Sequence, residues 1–162
     1  MGREIAGPGV RNQSNPFASL SFQQQVQVIQ HDLKAHFWKP EALVIANSFG
    51  AYLIAHSILQ LGEFPGKCLF LSPVLGAVKT IGMLFKPPKS GALKDAIESR
   101  SFPSITLDIV VGSRDEHFVV ELAEKLDQLT VGAITIFDNE GHRLSHEIVK
   151  DKLDHWLLPT LS

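Results

Sequence analysis

Cysteine is almost absent from this chain of 162 residues: Cys68 stands alone, and a single thiol closes no internal disulfide. It lies in an apolar run, where a buried free thiol is ordinary, and nothing in the sequence calls for an oxidising compartment. An excess of either charge is also missing. Lys plus Arg number 15 against 17 Asp plus Glu, a formal net charge of −2, and the basic residues form no run or stripe. A nucleic-acid binder normally carries such a stripe, so nucleic acid is not an expected partner. Long apolar runs are lacking too, and none approaches the roughly 18 residues of a membrane span. Met1-Gly2-Arg3-Glu4 precedes too short an apolar stretch for a secretory signal, and Ala6 stands where myristoylation of Gly2 would want Ser or Thr. The expectation is a soluble, intracellular, cytoplasmic chain without a membrane span.

What is present suits one globular domain over 1–162. The chain is 44% hydrophobic and 20% charged, enough to bury a core and too apolar for disorder. No internal repeat or low-complexity tract breaks it up. Short apolar runs alternate with longer helical patterns, which predicts an α/β fold: a three-layer α/β/α sandwich on a mostly parallel sheet of about five strands. Arg3–Ala6 is a candidate first strand, followed by a polar loop. Ser21 with Gln24 three residues on forms a capping box. Phe22, Val26, Ile29, Leu33 and Phe37 then recur at helical spacing up to the stop at Pro40.

Ala42–Ala46 reads as a strand buried on both faces. Phe49–Leu61 follows as a helix closed by Gly62, and Lys67–Leu71 as the next strand. Ile105–Val111 and Ala133–Phe137 are further strands, and Val119–Leu129 and Ser145–Leu158 further helices. Between 76 and 103 the pattern breaks down, apart from a short helical stretch at Ala92–Ser99. This segment is either an irregular crossover or a small lid.

Three of the loops that follow strands carry a polar residue suited to nucleophilic chemistry, at the sheet edge where parallel sheets bind ligands. Ser48, in Ala46-Asn47-Ser48-Phe49-Gly50, joins a strand to a helix. A serine lifted above a sheet by such a turn needs small residues two positions to either side. Of thirteen serines, only Ser48 has Ala or Gly at both. Its hydroxyl needs a base, and His142, beside Gly141 in the loop after the last strand, is suited to that role. The imidazole in turn needs an acid to fix its tautomer. Asp115 in Gly112-Ser113-Arg114-Asp115-Glu116-His117 fits, with adjacent Glu116 its competitor. His31, His36, His56, His117 and His155 are less well placed. His142 and His146 share zinc-ligand spacing, but the His-Glu-x-x-His pattern is absent and Gly141 puts His142 in a loop, so no metal is expected.

The segment Leu43–Ala51 resembles the nucleophile elbow of the α/β-hydrolase superfamily, with Ala46 and Asn47 where Gly and often His stand. Gly112–Asp115 resembles its acid loop and Gly141-His142 its histidine loop, in the chain order Ser, Asp, His. The resemblance covers about residues 1 to 160 and points to a small, nearly lidless serine hydrolase, apparently short at its N-terminus. It implies catalytic Ser48, Asp115 and His142, an oxyanion donor at the Phe49 N–H beside Asn47, and no cofactor. A second donor would come from a loop after an earlier strand. Either that strand is missing, or Arg3–Ala6 takes its place and Gly9 or Val10 supplies the N–H. The implied substrate is a small molecule bearing an ester, thioester or amide, and the apolar 77–85 stretch suits an apolar acyl group. An inactive binding scaffold and an acyltransferase are the alternatives. A sheet lacking one neighbour also suggests a homodimer.

Overall fold

A computed structural model describes residues 16–76 and 91–157. The candidate strand Arg3–Ala6, Gly9, Val10 and residues 77–90 of the 76–103 segment lie outside these residues. A 3-10 turn at Pro16–Ser19 leads into α1, Phe22–Asp32. The helix starts where the capping box puts it: the Ser21 side chain accepts from the Gln24 N–H, and the Gln24 side chain accepts from the Ser21 N–H at 2.9 Å. The helical pattern carries on to Phe37, but over Leu33–Phe37 it loosens into a π turn.

Four strands follow: β1 (Leu43–Asn47), β2 (Lys67–Leu71), β3 (Thr106–Gly112) and β4 (Ile134–Phe137). All are parallel, in the order β1-β2-β3-β4. Between them run α2 (Phe49–Leu61), α3 (Ala92–Glu98) and α4 (Val120–Asp127), and α5 (His146–Leu157) comes last. Gly62 closes α2 at φ 97°, a conformation that costs glycine nothing.

The topology sorts these helices into layers. Each strand is added on the same side of its predecessor, and right-handed crossovers then put every connecting helix on one face. Residues of α1, α2, α3 and α4 accordingly share a single core with Val44, Ala46, Cys68, Phe70, Leu107, Ile109 and Val111. Burial in that core pushes the Cys68 thiol up to about 12, so it stays protonated and inert. On the opposite face α5 covers Leu69, Leu71 and Val110 with Ile148, Val149, Leu153 and Trp156. The Trp156 indole N–H donates to Asp108 Oδ2 at 2.9 Å, pinning the helix to β3. Among the described residues no helix is long and apolar enough to cross a membrane.

One expectation fails. β1 is not buried on both faces: Val44 and Ala46 face the helices, whereas Leu43 and Ile45 are each 41% exposed. The second core, under α5, takes in β2 and β3 residues and none from β1.

Within α2, His56 is buried against Tyr52 and Phe22, with ring centroids 4.4 and 5.0 Å away. Its Nε2 has no hydrogen-bond partner among the described residues. Burial penalises the cation and pulls its pKa from 6.5 down to about 4. Below pH 6.5 the unfolded chain therefore takes up a proton that the folded chain refuses. The stabilisation is complete above that pH and disappears as pH falls to about 4, a loss of about 3 kcal/mol. His56→Phe should remove this part of the acid sensitivity. Urea denaturation of both proteins at pH 7 and pH 4.5 checks it, and an equal loss of stability in the two would contradict it.

Candidate active site

Three loops meet at the carboxyl edge of the sheet. The register aligns Asn47 with Leu71, Leu71 with Val110, and Gly112 with Phe137, so β3 and β4 end together and β1 ends two residues short of them at the same edge. Ser48 follows β1 directly, Asp115 lies three residues past β3, and His142 lies five past β4.

Ser48 has φ 50° and ψ −115°, a region that costs a side-chain-bearing residue about 1–3 kcal/mol. The surrounding hydrogen bonds hold it there. Its N–H donates to the Leu71 carbonyl at 2.9 Å, and its carbonyl accepts from Tyr52 N–H at 3.3 Å and Val74 N–H at 3.4 Å. The chain thus leaves the strand, reverses at one residue and enters the helix. The small residue two before the serine is needed, since Ala46 is buried under the helices. The one two after is not held by contact: a Cβ on Gly50 would meet nothing within 4 Å among the described residues.

The half-buried Ser48 hydroxyl lies 2.8 Å from His142 Nε2. His142 Nδ1 lies 3.0 Å from both carboxylate oxygens of Asp115. An ionised carboxylate only accepts, so Nδ1 carries the proton, Nε2 is left as acceptor, and the serine O–H donates to it. Asp115 is 1% exposed, which marks it out from Glu116, an exposed residue. Asp115 Oδ1 also accepts the His117 N–H at 2.8 Å, closing an Asx turn. The imidazole of His142 keeps 23% of its surface exposed, at the open side of the site.

The loop bearing His142 is fastened to the end of β3. Arg114 N–H donates to the Glu140 carbonyl and Ser113 N–H to the Phe137 carbonyl, both at 2.9 Å. Arg114 Nη2 reaches Asn139 Oδ1 at 2.6 Å, where Asn139 turns the chain at φ 65°. The approach is so close that a Cβ on Gly112 would collide with the Glu140 carbonyl.

Phe49 opens α2, so its amide lies at the helix's N-terminal end. Asn47 is exposed on the face of β1 that carries Leu43 and Ile45. Among the described residues no cluster of His, Cys, Asp or Glu has the arrangement of a metal site. Two neighbours of the site carried no strong signal in the sequence. Ser72, at the end of β2, is buried at φ 45° with no hydrogen-bond partner for its Oγ among the described residues. His117 packs its ring on that of His142.

No protein-family model matches the chain, and no curated protein does. Solved structures do. A monoacylglycerol lipase of Paleococcus ferrophilus superposes with a TM-score of 0.60 at 15% identity, over 85% of this chain and 75% of that one. Esterase PE8 gives 0.57 at 15% identity, over 84% and 60%. A predicted CIB-like hydrolase from Thermoplasma acidophilum gives 0.54 at 16%, over 84% and 59%. The chain has the α/β-hydrolase fold. It spans less than two thirds of the length of two of these three structures.

Within that fold the absence of a side chain at Gly112 lets the loop carrying His142 close on the end of β3. Gly112→Ala should force the two loops apart and cost about 1–3 kcal/mol of stability, as overpacking does. A urea midpoint matching that of the wild-type protein would mean that the loops do not touch as described.

Proposed function

We propose that the protein is a serine hydrolase that cleaves a carboxylic ester, thioester or amide through an acyl-enzyme. The observation that carries this reading is the unbroken line of contacts from the buried Asp115 through His142 to a serine held in a strained turn. The fold supports it, and the names of two solved neighbours, a monoacylglycerol lipase and an esterase, favour an ester as the first substrate to try.

In this reading the Ser48 oxygen attacks the carbonyl carbon while its proton passes to His142 Nε2. The resulting imidazolium is stabilised by Asp115, which stays ionised. The tetrahedral intermediate collapses, the bond to the leaving group breaks, and that group departs with the proton from Nε2. Water then repeats the sequence: it gives a proton to Nε2, its oxygen attacks the acyl carbon, and Ser48 leaves and recovers the proton. The Phe49 N–H, at the amino end of α2, is the donor for the oxyanion. Gly9 or Val10 is the proposed source of the second donor, and Asn47 flanks the substrate. No metal or cofactor enters any step. The segment 76–103, taken as a lid, would cover an apolar acyl group.

Hydrolysis of short p-nitrophenyl esters tests the proposal. The wild-type protein should turn them over and Ser48→Ala should not. Asp115→Asn leaves the shape of the site but gives His142 the wrong tautomer, and should lower kcat by about 10⁴-fold. Turnover unchanged in Ser48→Ala would overturn the proposal.

A further inference from the structure

We propose that His117 is a positioning residue of this site, holding the His142 imidazole in line between Asp115 and Ser48. The inference rests on the serine-hydrolase reading above and adds to it a residue outside the Ser-His-Asp set.

His117 touches two of the three groups. Its backbone N–H donates at 2.8 Å to Asp115 Oδ1, one of the two oxygens that lie 3.0 Å from His142 Nδ1. Its side chain meets His142 edge to face, with ring centroids 4.5 Å apart and planes at 67°. Backbone and ring thus act on the same pair: one fixes the carboxylate, the other closes off a direction in which the imidazole could swing. The restraint matters because Asp115 is wholly enclosed, whereas His142 rides on a loop and keeps nearly a quarter of its side chain exposed. A displacement of His142 by about 1 Å would break both of its contacts and cost on the order of 100-fold in rate.

The chemistry of His117 adds a second consequence. Its Nδ1 is buried without a hydrogen-bond partner among the described residues, and its Nε2 is 3.9 Å from Glu116 Oε1, beyond hydrogen-bond reach. The charged and titratable groups facing it are Glu116, Asp115 and His142, and Arg114 in the same loop is held by Asn139. A proton on His117 would set a cation against the ring that must itself become an imidazolium during each acyl-transfer step. A permanently charged side chain at 117 would therefore oppose that step.

Steady-state ester hydrolysis at pH 8 tests this with His117→Ala and His117→Phe. His117→Ala removes the wall and should lower kcat about tenfold or more at pH 8, with KM changed less than twofold. His117→Phe restores a ring at that place. It should recover most of that kcat. Wild-type kcat in His117→Ala would overturn the proposal, and so would a His117→Phe protein as impaired as His117→Ala. Nitrogen-edited NMR of the His142 ring separates this claim from the one beneath it. If the wild-type protein hydrolyses no ester, the esterase form of the serine-hydrolase reading fails. The His142 Nδ1–H resonance still decides the positioning: its weakening in His117→Ala, but not in His117→Phe, supports the role, and an unchanged resonance in His117→Ala overturns it.

Discussion

A carboxylate without exposed surface is the constraint from which this site is built. Desolvating Asp115 is expensive unless its oxygens accept hydrogen bonds, and among the described residues the donors are His142 Nδ1–H and the His117 N–H. Satisfying it fixes the tautomer of His142, and that tautomer leaves Nε2 facing the Ser48 hydroxyl as an acceptor. The loop carrying His142 must then press against the end of β3, which only glycine at 112 permits. Fold stability and proton handling are thus requirements on the same few atoms.

The sheet supplies the frame for that arrangement. Four parallel strands added in one direction keep their connecting helices on one face and all of their carboxyl-terminal loops at one edge. Residues separated by 94 and 27 positions in the chain meet there within hydrogen-bond distance. The strain stored in the Ser48 turn, about 1–3 kcal/mol, is offset by the three backbone hydrogen bonds around it and by the helix that starts one residue later. The core beneath is apolar apart from a few side chains such as His56. That residue stays neutral at the expense of acid tolerance.

Much of this frame could be read from residue patterns, because the signals were local. The Ser21–Gln24 box starts its helix, Gly62 ends the next, and the strands at Lys67–Leu71 and after Ile105 fall within a residue of their patterns. The reading of β1 failed for a non-local reason. A run such as Leu43-Val44-Ile45 looks the same whether one face or both are covered, and what covers the second face is decided by α5, a hundred residues later. Asp115 and Glu116 were likewise indistinguishable in sequence and are separated by burial alone. The role of His117 depends on a ring contact across two loops, which spacing does not encode.

The central claim, that Ser48 is made nucleophilic by His142, is tested most directly with a fluorophosphonate and intact-mass spectrometry. One adduct is expected on the wild-type protein, mapped to the peptide containing Ser48, absent from Ser48→Ala and formed at least 100-fold more slowly in His142→Ala. A wild-type protein that takes up no label, or an adduct that forms equally fast without His142, would contradict it.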